Sequence, residues 1–168
     1  MITYKQYSDF FEALATQHPA IKHSASEKHF FEGDLSDLVG SIANRTIRYP
    51  VLMLITIYGR IAGSDHDNLL DENNAGFLLL DRLGSPEDAE RKKEIFNDTL
   101  TIGFDIIRRI QHLVDQCDPD AVKLFNEFDI TNVRKKQWGP VWDMAYGWSF
   151  EFPIQGAFTH LYNPDLWI

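Results

Sequence analysis

The stretch AYGWSFEFPI, residues 145–154, places Tyr146, Trp148, Phe150, Phe152 and Ile154 on every second position. A period of two belongs to a β-strand with one buried face, because successive side chains of a strand point to opposite sides. The positions between them, Ala145, Gly147, Ser149, Glu151 and Pro153, are small or polar, so this second face admits another backbone or subunit at close range. Five large apolar side chains in one row need an equally long apolar element to lie across them.

The sequence supplies that element. In GSPEDAE, Ser85 stands as N-cap, Pro86 as first helical residue, and Glu87 and Asp88 favour the positive end of a helix dipole. Ile95, Phe96, Ile102, Ile106, Ile107, Ile110, Leu113 and Val114 then share one broad face to about Gln116. At about 1.5 Å rise per residue the helix is about 45 Å long, enough to cross a sheet. CDPDA ends it, since Pro119 cannot donate to the helical ladder.

Upstream, Thr3 and Gln6 have the form of a capping box, and Tyr7, Phe10, Phe11 and Leu14 predict a helix from about 4 to 17. KHFFEG reads as a small strand or a docking segment. Asp34 is placed to cap a short second helix carrying Leu35, Leu38, Val39 and Ile42. RYPVLMLITIYGRI is apolar on both faces near its centre, as expected of a strand covered on both sides. The polar AGSDHDNLLDENNAG is a long connection to a second strand, Phe77 to Leu83. A third strand is expected over roughly Leu124 to Lys136, with QWGPVWDM turning into the aromatic strand. The expected class is α+β: a four-stranded, mainly antiparallel sheet of two β-hairpins, packed by one long helix, with N-terminal helices. Residues 1–156 form the single domain and 157–168 a C-terminal arm.

A formal net charge of -9 over 168 residues disfavours nonspecific attraction to nucleic-acid phosphates or anionic lipid. The cluster Arg134, Lys135 and Lys136 reads as a solvated turn. Cys117 is the only cysteine, so neither an internal disulfide nor a CxxC pair can form. The N-terminus lacks the basic start and apolar run of a signal peptide, and no segment has the length of a membrane span. A protein cytoplasmic when made is expected.

Chemistry-bearing patterns are sparse. The six histidines form no HExxH or HxH pair. SDHDNLLDEN gathers Asp65, His66, Asp67 and Asp71, yet Leu69 and Leu70 occupy the fifth and sixth positions of an EF-hand loop, where a ligand and a glycine are required. No P-loop, GxGxxG or GxSxG occurs. Glu127, Asp129, Asp143 and Glu151 are the carboxylates that neighbouring strands could bring together for acid-base work. The expectation is no enzyme, no metal and no cofactor.

The order of helix, hairpin, long helix, hairpin resembles the tail-terminator and tail-completion proteins of long-tailed bacteriophages and related contractile injection particles. YPVLMLITIYGRI, NNAGFLLLDRL and FDITNVRKKQWGPVWDMAYGWSFEF are similar to small structural proteins in phage-like gene clusters of Bacteroidota. The resemblance covers roughly residues 34–156. It implies a ring-forming subunit, a hexamer, that ends a tail tube and joins it to the head, neck or cap as part of an assembled phage or phage-tail-like particle. The tube, sheath or neck proteins are then partners, without membrane or specific nucleic acid. In such a ring the sheet edges and first hairpin loop touch neighbours. This points to Asp65 and Asp67 in the loop, Gly147, Ser149 and Glu151 on the last strand, and Trp167 in the arm. Another neck, baseplate or head-closure part, or a cytoplasmic adaptor or immunity-type binding protein, is the alternative.

Overall fold

Thr3 begins the first helix as its sequence requires. Its side chain accepts from the Gln6 N–H at 3.3 Å, and the Gln6 side chain accepts from the Thr3 N–H at 3.2 Å. In this computed structural model, which describes residues 3–33, 47–62, 70–126, 128–141 and 144–157, helix α1 runs Tyr4–Gln17. Strands β1 (Phe30–Glu32), β2 (Val51–Ala62) and β3 (Leu70–Arg82) follow, then the long helix α2 (Ala89–Asp115). A short helix α3 (Pro119–Phe125), a 3-10 turn (Ile130–Asn132), and strands β4 (Arg134–Val141) and β5 (Ala145–Ala157) complete the described elements. The second helix expected after Asp34 lies outside the described residues.

The class is α+β, with one long helix on a sheet of strand order β1-β2-β3-β5-β4. The expected hairpins β2–β3 and β4–β5 are both present and antiparallel. The sheet has five described strands rather than four, because Phe30–Glu32 of KHFFEG pairs parallel to β2 and makes the sheet mixed. β3 is also longer than expected: Leu70 to Gly76, read as loop, pair with β5 from Ala157 to Glu151.

Two local expectations are corrected. Helix α2 starts after Asp88, whose carboxylate accepts from the Arg91 N–H at 2.9 Å, and not at Ser85. Ser85 instead closes a preceding turn by accepting from the Asp88 N–H at 3.2 Å. Both residues are good caps; at Asp88 the Arg91 guanidinium also reaches Asp81 at the end of β3, at 3.0 Å, and ties the helix start to the sheet.

The strand expected over Leu124 to Lys136 is a helix, a turn and then β4. Pro119 follows an N-cap, Asp118, whose carboxylate accepts from the N–H groups of Asp120 and Ala121. Ala121, Leu124 and Phe125 are buried at the helical spacing i, i+3, i+4. Gln137 to Val141, expected to be turn, belong to β4.

The aromatic row of β5 faces α2 as its periodicity requires. Phe150 and Phe152 are fully buried, and Phe150 stacks on Phe77 of β3 with centroids 5.2 Å apart. Phe152 meets Phe125 at 5.9 Å and Phe128 at 5.6 Å, while Phe11 of α1 meets Phe77 at 5.5 Å. Trp148 donates its indole N–H to the Phe96 carbonyl of α2 at 3.0 Å. On the other face Val51, Met53, Leu78, Leu80 and Ala145 form a second buried cluster with Ile47. The central strands are thus apolar on both sides.

Gly103 lets the helix reach the sheet. A Cβ there would lie 2.0 Å from the Phe150 ring. Gly103→Ala should therefore destabilise the fold by about 1–3 kcal/mol through overpacking, outweighing the roughly 1 kcal/mol that Ala adds to helix propensity. Thermal unfolding checks this; a raised melting temperature would contradict it.

Candidate functional site

Gly147 and Ser149, expected on a subunit-facing surface, are buried within the chain itself. Gly147 lies between Leu80 of β3 and Trp138 of β4 in the sheet, and a Cβ at Gly147 would stand 1.8 Å from the Leu79 carbonyl oxygen. Ser149 is 1% exposed, and its hydroxyl accepts the Trp138 indole N–H at 3.0 Å. Within this chain the smallness of these residues serves the close packing of the sheet and the seat of one tryptophan. Glu151 is half-buried and lies in register with Gly76 on one side and Arg134 on the other. Asp65, Asp67 and Trp167 lie outside the described residues.

Of the carboxylates considered for acid-base work, Asp129 and Glu151 are described, and of these two only Glu151 lies on a strand. Asp129 is a cap of the 3-10 turn, accepting from the Thr131 hydroxyl at 2.7 Å and the Thr131 N–H at 2.8 Å. Those bonds, the hydroxyl's first, hold its carboxyl below the usual range. Glu127 and Asp143 fall outside the described residues. Among the described residues no three His, Cys, Asp or Glu side chains are grouped to hold a metal ion, and no helix is long and apolar enough to cross a membrane.

Three histidines have structural partners. His23 is buried; its Nδ1 accepts the His29 backbone N–H at 3.0 Å, so its Nε2 carries the proton that points to Glu12 at 3.2 Å. His29 Nδ1 lies 2.8 Å from the Pro50 carbonyl and donates to it. His18 packs between the end of α1 and Asp105 of α2, 3.8 Å away, and its Nδ1 accepts from the Ala20 N–H.

Among the described residues two open surfaces combine exposed apolar side chains with strand backbone. The first is the far end of the β2–β3 hairpin, where pairing continues from Tyr58 opposite Asn74 to Ala62 opposite Leu70. Tyr58 is 60% exposed and Ile61 55% exposed there, with Leu70 also exposed. The second is β4, an edge strand whose Arg134, Lys135, Lys136 and Gln137 are all exposed. A 260 Å³ groove runs beside β4, lined by Phe104, Ile107, Ile130, Val133 and Phe150 with Arg108 and Lys135. Lys135 is 5.2 Å from the centroids of both Phe104 and Trp148, so its ammonium caps aromatic faces and is not simply solvated.

Sequence reading located the hairpin by its turn signals. It missed the groove, because Phe104 and Ile107 come from α2 while Ile130 and Val133 come from a segment read as strand. No protein-family model matches the chain, and neither a curated protein nor a solved structure is found to match it.

Burial lowers the His18 pKa below 6.5, with Asp105 opposing that shift in part. A base whose folded pKa is depressed contributes nothing adverse while neutral in both states, and costs stability as pH falls below 6.5 and the unfolded chain protonates first. His18→Gln should flatten the stability loss between pH 7 and about 5. Denaturant unfolding at several pH values measures it, and an unchanged slope would contradict it. Gly147→Ala should lower the melting temperature of the purified chain, since its Cβ meets main chain; wild-type stability would contradict this.

Proposed function

We propose that this chain is a structural assembly protein that caps or terminates a phage-like tail tube and joins it to the neck, head or cap, as a hexameric ring. Supporting it is the resemblance of its two hairpins and intervening helix to tail-terminator and tail-completion proteins. The α+β order of elements agrees with that resemblance without being specific to it. As a structural part the chain needs no catalytic group, metal or cofactor.

The observation that carries the reading is the ordered ribbon beyond the core. Residues 58–62 of β2, 70–74 of β3 and 153–157 of β5 stay paired as three strands. On this ribbon Tyr58, Ile61 and Leu70 are exposed, although strand residues of this size gain roughly 1.5–3 kcal/mol each from full burial. Tyr58 and Leu70 lie on one face of the ribbon and Ile61 on the other, because successive side chains of a strand alternate. A paired extension that exposes apolar side chains on both faces suits insertion between a neighbouring subunit and the tube end. In this reading the ribbon makes the neighbour contact expected of Gly147 and Ser149, and it flanks residues 63–69, which include Asp65 and Asp67.

Light scattering of the purified chain, with and without isolated tail tubes, tests the proposal. A hexamer-sized species or capture at one tube end is expected. A monomer that also ignores tube ends would overturn it. The double variant Tyr58→Ser, Ile61→Ser should lose assembly while its stability stays within about 0.5 kcal/mol of wild type, as for exposed sites.

A further inference from the structure

The outer edge of β4 is the least explained surface of the molecule. β4 pairs with β5 on one side, and no described strand lies on the other. Within a chain of net charge -9, this edge carries Arg134, Lys135 and Lys136 in succession. None of the three has a carboxylate partner among the described residues, whereas Arg108 at the groove rim is paired with Asp105 at 3.0 Å. Lysines on a sheet edge commonly guard it against edge-to-edge aggregation. That purpose accounts for the charge. It does not account for an apolar groove kept open directly beside the same edge, with Ile130 47% exposed on its rim.

We propose that β4 and this groove form a docking site for an extended, acidic segment of a partner protein, which adds to the sheet outside β4. Strand addition supplies main-chain hydrogen bonds from the edge, and alternate side chains of the incoming segment supply specificity. The register fixes what each face of that segment meets. Lys135 lies opposite Phe150 and shares the α2 side with the groove, while Arg134 and Lys136 lie opposite Glu151 and Ser149 on the other side. An occupant with apolar side chains on the groove side and carboxylates on the other matches both. The usable run ends near Trp138, because Pro140 lacks a donor and the β4–β5 register shifts between Trp138 and Val141. Charge complementarity selects an acidic occupant over a basic or neutral one. Arg134 adjoins the ribbon, where it lines a pocket with Tyr58, Asn74 and Pro153, but the groove shares no lining residue with it, so changes at Ile130, Lys135 and Lys136 test this site independently of the ring.

The test is fluorescence anisotropy of the full chain with a labelled eight-residue peptide alternating aspartate or glutamate with leucine or isoleucine. Saturable binding that weakens as salt is raised is expected. Methylation of alternate peptide amides should weaken it about tenfold or more, since it removes strand pairing without altering the protein. Lys135→Glu with Lys136→Glu, and separately Ile130→Ser, should each weaken it by about fivefold or more, with melting temperatures checked for every variant. Absence of saturable binding, or binding indifferent to amide methylation, would overturn the proposal. Self-association that competes with the peptide and is lost in the lysine variant would assign the edge to a second copy of the chain and overturn a foreign partner.

Discussion

The Tyr7 hydroxyl sits between the two backbone polar groups of Gly76. It donates to the Gly76 carbonyl at 2.7 Å and accepts from the Gly76 N–H at 2.9 Å. Gly76 lies where the β2–β3 register shifts: Ile55 pairs with Gly76, and Tyr58 with Asn74. Two residues of β2 thus oppose one of β3, a bulge that leaves the ladder locally unmade. A buried donor or acceptor without a partner costs about 1–3 kcal/mol, and one phenol satisfies both. Burial is the main reason the Tyr7 pKa is driven far above its ordinary value, so the hydroxyl keeps its proton over the range where proteins fold.

Much of the rest follows from that clasp. It holds α1 against the central strand, where Tyr7 meets Phe11 at 4.9 Å and Phe11 continues into Phe77, Phe125 and Phe152. β5 can approach β3 here because Gly76 has no Cβ, which would otherwise lie 2.3 Å from the Phe150 carbonyl oxygen. The bulge also marks a division of labour along β2 and β3. On one side of it the strands are buried on both faces, and beyond it they carry Tyr58, Ile61 and Leu70 into the open. The chain therefore closes its core internally and leaves exposed apolar side chains at the ribbon and at the groove beside β4.

The sequence made some of this plain and hid the rest for identifiable reasons. The capping box at Thr3, the apolar face of α2, the doubly covered β2 and the aromatic face of β5 were legible, because each rests on local chemistry or on a period sustained over many residues. Leu124 to Ile130 was misread. Leu124 and Phe128 fit a period of two as well as of four, and only the Asp118–Pro119 start separates a helix from a strand there. The start of α2 was displaced because Ser85 and Asp88 are both competent caps. Gly147 and Ser149 illustrate a different limit: small residues permit close approach, but the sequence does not say whose backbone approaches. The Tyr7–Gly76 pair, 69 residues apart, left no local signal at all.

Amide hydrogen exchange at Gly76, followed by NMR in the wild type and in Tyr7→Phe, tests the clasp most directly. The account predicts that the wild-type amide exchanges only with global unfolding, alongside the core amides of β3. In the variant it should exchange by local opening, faster than those neighbours. A Gly76 amide that exchanges quickly in the wild type, or is equally protected without the hydroxyl, would contradict the claim that this one side chain seals the bulge on which the packing of α1 depends.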